Sequence, residues 1–408
     1  MSLSAGWKVE IAIGDPGAVP NVGVYDTALY DSAAVYGSDD PLGYLVDVTE
    51  FVQEIDTHRG RDKFTSRFRT GTASVLLENT EGFFTPPAGQ TPLGILPLRP
   101  GREVVISNAG ANVFTGVIDA FDDKHTRNGM IVTRLSCVDA FAGLNRNDLP
   151  AVTAQGAGEN TFQRMRRILD HHLGDGSYRF GSYGVAEATM QATEMAQSAL
   201  SELQLAADSE GGGCWITPNG IIRASGLEWF SDLASGPIRW TVGGSAAIKL
   251  WSADSEWTAQ RIINEAHYAR VGGTEQVATN DESQVKYGRR THRRLDLICE
   301  TDEYASLLAE RLVQFAGIDR LRITELTLMP EAGTAAYEMG QSAGFGHLVL
   351  ATINTIHGWS YTAPTQIFGV SHRVTPEAWL VTYRVDDTLF TGEFNAFDQD
   401  AFDSAAYS

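Results

Sequence analysis

Few residues of this 408-residue chain have the types and spacing that chemistry needs. Gly340-Gln341-Ser342-Ala343-Gly344 matches Gly-x-Ser-x-Gly, the turn that exposes a nucleophilic serine between a strand and a helix. Its flanks are wrong for that turn. Thr334 to Met339 are poor strand formers, and His347-Leu348-Val349-Leu350 reads as a strand rather than a helix. No Asp or Glu lies between Ser342 and the last histidine, His372, so the order Ser, acid, His has no acid. Gly156-Ala157-Gly158 has neither a preceding strand nor a third glycine, so it reads as a linker and not a phosphate loop. His171 and His172 are adjacent on a helix and point about 100° apart, which no i, i+4 metal pair does. Asp398, Asp400 and Asp403 lack the glycine and distal Glu of a calcium loop. No carboxylate pair stands out for glycoside hydrolysis. The expectation is no catalytic residue, no cofactor and no metal.

Two clusters point to partners instead. Arg289, Arg290, Arg293 and Arg294 flank His292 and form the dense basic cluster of a chain whose net charge is -20. They read either as a solvated edge or as a contact for an acidic patch on a neighbour. Phe390, Phe394, Phe397 and Phe402 punctuate an acidic C-terminal stretch without a basic residue. That stretch reads as a disordered terminus or as a docking segment whose rings fill pockets on a partner.

The elements that must carry these residues are mostly strands. Ala73 to Glu78, Glu103 to Ile106, Val113 to Ile118 and Met130 to Val138 are strand candidates, the middle two forming a hairpin. Residues 151–245 change character. A helix capped by Thr161 carries Phe162, Met165, Ile168, Leu169 and His172 on one face, with Arg164, Arg166 and Arg167 on its flank. A second helix runs from Glu194 to Ala207. A hairpin then joins Cys214 to Thr217 with Ile221 to Ala224 through Asn219-Gly220. Thr301 caps a helix bearing Tyr304, Leu308, Leu312 and Phe315, and Ile367 to Val374 pairs with Trp379 to Val385. Trp229, Trp240, Trp251 and Trp257 sit among strand-like runs and read as core.

Composition narrows the class. Hydrophobic residues make up 43% and charged residues 20%, enough apolar surface for more than one core. Net acidity disfavours non-specific nucleic-acid binding. Cys137, Cys214 and Cys299 lie in apolar runs and read as buried thiols of a protein made in a reducing cytosol. No secretory leader and no membrane-spanning segment of ~20 apolar residues is expected.

Several ordered segments together resemble the tail-tip or baseplate hub of bacteriophages, the tail-associated minor tail protein family. These are Tyr25 to Gly37, Arg59-Gly60-Arg61-Asp62, Gly71 to Asn79, Gly82 to Pro86, Leu98 to Arg102 and Phe114 to Asp119. Ala199 to Leu203 with Gly212 to Gly220, Tyr287 to Arg290, and Ile367 to Tyr383 continue the likeness. The resemblance implies a mainly β chain in which two tube-type β-barrel domains, 1–150 and 246–385, flank an α+β insert, 151–245. An acidic tail, 386–408, follows. It implies a homotrimer whose six barrels continue the tail tube. Its partners would be distal tail, tail-tube, tape-measure and other tail-tip proteins, in the virion, with viral DNA passing through unbound. A sixfold distal tail protein has similar signatures. A cell-wall hydrolase or a glycan-binding tail module stand as further alternatives. Some hubs carry a cell-wall-cleaving domain beyond the second barrel, and none is expected here.

Overall fold

The structure, a computed structural model, describes residues 3, 6–13, 44–63, 65–84, 100–125, 131–146, 152–174, 178–195, 197–234, 236–354 and 358–387. The Tyr/Asp-rich segment 25–37 and the phenylalanines and aspartates beyond residue 387 lie outside them.

Seven strands make the first half. They are β1 (Trp7–Ile13), β2 (Tyr44–Asp47), β3 (Val52–Gly60), β4 (Arg69–Glu78), β5 (Glu103–Asn108), β6 (Ala111–His125) and β7 (Ile131–Val138). Alternation sets them. In β4, Gly71, Ala73, Val75 and Leu77 are buried while the residues between them are not. The expected hairpin is β5 with β6, closed by Ala109 and Gly110, both at positive φ.

The helix Ala140–Arg146 ends the first half and packs into the insert's core, and the insert opens with the short strands β8 (Val152–Gln155) and β9 (Glu159–Asn160). The helix Thr161–Leu173 is capped by Asn160 rather than Thr161, because Asn160 and Gln163 exchange bonds as a capping box. Thr161 is its first residue, and its hydroxyl donates to Glu210 at 2.5 Å. β10 (Phe180–Tyr183), β11 (Thr189–Met190) and β12 (Thr193–Met195) follow. The next helix spans Ala199–Glu210 and not Glu194 to Ala207, since Ser198 caps it and Met195 already belongs to β12. β13 (Gly213–Ile216) and β14 (Ile222–Ser225) form the expected hairpin, and a helix, Leu227–Ala234, closes the insert.

The second half holds β15 (Trp240–Gly243), β16 (Ser252–Glu256), β17 (Glu265–Arg270), β18 (Gln276–Thr279) and β19 (Thr291–Leu297). β20 (Arg322–Leu328), β21 (Leu348–Asn354), β22 (Ser360–Val374) and β23 (Trp379–Asp387) complete it. β18-β17-β19 is a separate small sheet, packed on the helix Asp302–Ala316, whose cap is Thr301 as the sequence predicts.

The other strands form one 13-stranded sheet in the order β16-β20-β23-β22-β3-β4-β7-β6-β5-β1-β2, with β21 on β22 and β15 on β21. Two halves are legible in it. The path β5-β6-β7-β4-β3 repeats as β21-β22-β23-β20-β16. Even the irregularities repeat. β6 slips register against β7 between Ile118 and Ala120, and β22 slips against β23 between Ile367 and Gly369. The fold is mainly β, with helices concentrated in the insert and around the small sheet. Two closed barrels, which the resemblance implies, are not present among the described residues. Instead β3 hydrogen-bonds β22 and merges both halves into one open sheet. One hydrophobic core accordingly spans both, from Val9, Ile55, Val75 and Leu135 to Val349, Ile367 and Tyr383.

Candidate functional site

The chain's most distinctive local arrangement lies where the halves meet. Each residue of Arg59-Gly60-Arg61-Asp62 has a separate part there. Gly60, at φ +116°, is paired with Gly369, and a Cβ on it would stand 2.3 Å from the Phe368 carbonyl oxygen. Only a residue without a side chain fits that approach. Arg61 donates its backbone N–H to Phe368 at 2.9 Å, and its guanidinium lies 4.4 Å from the Phe368 ring centre and 4.7 Å from that of Phe68. Arg59 is buried over Phe345, and burial lowers its pKa to about 10. Asp62 pairs with Arg69 at 2.7 Å and also with Arg384. Phe368 falls at the register slip of β22. The slip turns its ring out of the sheet core and into the insert's core, the cluster that also holds Phe141, Met165, Leu203 and Trp215.

On the sheet face away from the core, cross-strand partners line up as a polar row. Ser252, Thr327, Thr382, Ser371, His58 and Thr72 are successive register partners across six strands. Thr327 and Thr382 are bonded at 2.9 Å, and His58 Nδ1 and Ser371 Oγ at 2.7 Å. Beside this row Arg373 pairs with Glu54 at 3.0 Å and Arg384 with Glu325 at 3.4 Å. Part of the face forms a depression of ≈ 550 Å³ lined by Asp56, His58, Ser74, Ser136, Ser371 and Thr382.

A serine bonded to a histidine invites a nucleophilic reading, and the electrostatics oppose it. Burial lowers the His58 pKa, and Arg384, Arg69 and Arg59 lower it further. A general base must hold the proton it takes, and three guanidiniums disfavour the imidazolium. The row offers hydroxyl donors and acceptors on a polar face, but His58 is poorly placed to activate Ser371. Single-strand alternation hints at these hydroxyls; their alignment depends on pairings far apart in sequence.

The residues singled out from the sequence are scattered. Ser342 ends the helix Ala335–Ser342, and its hydroxyl donates to the Glu338 carbonyl at 2.7 Å. His372 is buried, accepts from Trp379 Nε1 at 3.2 Å, and has its pKa pushed down to about 3 by burial. A strand, β8, does precede Gly156-Ala157-Gly158, but the Gly156 carbonyl accepts from the buried Arg164 at 2.9 Å. Arg164 is no flank residue; it also pairs with Glu159 at 2.7 Å, which is why it can be buried. His171 and His172 close the last turn of their helix. The three cysteines are buried and free, with Cys137 and Cys214 pushed up to about 12 by burial.

The arginine cluster is held within the chain. Arg289 pairs with Glu265, Arg293 with Glu275 at 2.9 Å, and Arg294 with Asp208 at 2.6 Å. Arg290 is held by its backbone, whose N–H donates to Asn264 Oδ1 at 2.8 Å. Arg289 and Arg293 keep side-chain exposures of 66% and 58%. Phe390, Phe394 and Phe397 lie outside the described residues. Trp251 and Trp257, read as core, are 63% and 61% exposed because they bracket β16, a strand paired on one side. Trp229 behaves as expected, stacked on Tyr183 and Trp215 at 5.0 and 5.3 Å. Those rings cover one another's faces, which leaves little platform for a sugar. Among the described residues no helix is long and apolar enough to cross a membrane.

No family model and no curated protein matches the sequence. Solved structures do. A tail protein from Neisseria meningitidis MC58 superposes with a TM-score of 0.62 at 12% identity, over 94% of this chain and 96% of that one. The 43 kDa tail protein of prophage MuSo2 from Shewanella oneidensis gives 0.61 at 13% identity, over 94% and 99%. Over nearly its whole length, this chain shares the fold of these tail proteins.

Proposed function

We propose that the chain is a structural hub at the tip of a phage tail. Three copies close a ring whose six half-sheets continue the tail tube and let viral DNA pass. The observation that carries this is the duplicated strand path, joined edge to edge by β3 and β22, in the fold of tail proteins. A chain with two equivalent halves meets a sixfold tube with three copies. Residues 1–150 and 246–385 then act as two tube-type units that close into barrels only in the ring, and 151–245 decorates its outside. The acidic tail, 386–408, docks its phenylalanines on a neighbour. Arg289 and Arg293 offer their exposed edges to an acidic patch on another tail protein, such as a tail-tube, distal tail or tape-measure protein.

The polar sheet face suits the inner wall. Its carboxylates Glu54, Asp56, Asp122, Asp254 and Glu325 outnumber Lys124, Arg134, Arg373 and Arg384, and its row of hydroxyls holds water. Such a wall repels phosphate and lets DNA slide. Native mass spectrometry of the full chain tests the reading. Three copies per particle support it. Six copies would make the chain a distal ring instead, and a monomer at every concentration, with tail partners present, would sink both.

A further inference from the structure

Two strand edges that stand open among the described residues are counterparts of two edges that are joined. Inside the chain, Ile55–Gly60 of β3 runs antiparallel to Gly369–Val374 of β22. The repeated path identifies the equivalents. The shared register slip makes Ala120–His125 of β6 the counterpart of Gly369–Val374. Stepping across the sheet, Gly369 pairs with Arg384, Arg384 with Glu325 and Glu325 with Asp254. In the other half Ala120 pairs with Ser136, Ser136 with Ser74 and Ser74 with Asp56. Asp254 therefore stands where Asp56 stands, and β16 is the counterpart of β3.

Among the described residues no strand pairs with the outer edge of β16, or with Ala120–His125 on the side away from β7. Open edges invite pairing, and natural proteins normally blunt them. Both edges carry charges, Asp254 and Glu256 on β16 and Asp122, Asp123 and Lys124 on β6, which discourage indiscriminate pairing and leave a charge-matched partner; Trp251 and Trp257 bracket β16, 63% and 61% exposed, and exposed tryptophans are typical anchors of interfaces.

We propose that β16 of one copy pairs antiparallel with Ala120–His125 of the next, repeating between chains the contact that β3 makes with β22 within one. The proposal rests on the ring reading above and names its seam. Transferring the internal register sets Asp254 opposite Lys124 and Ala253 opposite His125, as Asp56 faces Arg373 and Ile55 faces Val374. The opposite-charge pair is kept although both residue types on the β6 side have changed. The slip of β16 between Asp254 and Ser255 ends the shared register there. The contact is heterologous, so it forms a closed ring only if the rotation per copy closes.

The test is the full chain carrying both Lys124→Cys and Asp254→Cys, oxidised and run on a denaturing gel without reductant. The native cysteines are buried and do not compete. A covalent three-copy species, absent when either substitution stands alone, supports the seam. An unlimited ladder supports the pairing but overturns closure at three. Rings seen by native mass without any cross-link overturn the seam and leave the ring reading intact. Absence of assembly in the unmodified chain overturns both. As a second arm, Lys124→Glu weakens assembly roughly twofold to fivefold, and adding Asp254→Lys restores it. A Lys124→Glu variant that assembles as well as the unmodified chain at low salt contradicts the register.

Discussion

The two halves of the sheet bulge at the same point, and the bulges do opposite things. In β6 the residue at the slip is Asp119, which is exposed. In β22 it is Phe368, which is 1% exposed in the insert's core. The backbone device is one and the same: an extra residue re-aims a side chain off the strand's alternation. The side chain then decides the outcome. An aromatic ring fastens the second half to the insert and, through Arg61, to β3. A carboxylate leaves the first half's edge solvated. Among the described residues the halves are joined at β3 and β22, while β16 and Ala120–His125 have no strand on their outer side.

The largest test of this contrast is truncation at the two bulges. Phe368→Ala should cost about 3–5 kcal/mol, because it empties a buried aromatic site. Asp119→Ala should change stability by no more than ~0.5 kcal/mol, as exposed substitutions do. Urea unfolding midpoints of the two variants measure the difference, and equal losses would break the comparison. Next comes the glycine pair. Gly60→Ala forces a side chain against the Phe368 backbone at positive φ, with a loss of about 1–3 kcal/mol in the same assay. The equivalent of its partner Gly369 in β6 is already an alanine, Ala120, with no strand across from it among the described residues.

A third contrast is in pH. His372 in β22 corresponds to Asp123 in β6. Burial, with Arg59, lowers the His372 pKa to about 3, below its ordinary 6.5. A depressed histidine contributes stability that is whole above pH 6.5 and is lost as pH falls toward 3. The stability of His372→Gln should therefore fall less than that of the unmodified chain between pH 7 and pH 4, read as thermal midpoints. Parallel acid arms would contradict the assignment. The smallest effect is on the polar face. Arg373→Ala removes a half-exposed pair with Glu54 and should cost about 0.5 kcal/mol at low salt and less at high salt.

What the sequence made legible was local. The hairpins at Ser107–Asn112 and Asn219-Gly220, the pairing across Thr375–Ala378 and the Thr301 cap all follow from turn chemistry and alternation within a few residues. What it hid was long-range. The seam joins residues some three hundred positions apart, so nothing near Gly60 announces Gly369. The exposure of Trp251 and Trp257 follows from β16 lying at the end of a sheet, a matter of strand order rather than residue type. The burial of Arg164 is invisible to helix periodicity because it depends on Glu159 and the Gly156 carbonyl meeting it from outside the helix. The candidate site shows the same division. Arg59-Gly60-Arg61-Asp62 stood out as a string, but its role required Phe368, Gly369 and Arg384 from the other half.

Electron cryo-microscopy of the assembled particle tests the central claim most directly. The account predicts a three-copy ring whose averaged wall approaches sixfold symmetry, with the Ser252-to-Thr72 row and an excess of carboxylates facing the channel. A ring of six copies, or a channel lined by a net excess of Lys and Arg, would contradict it.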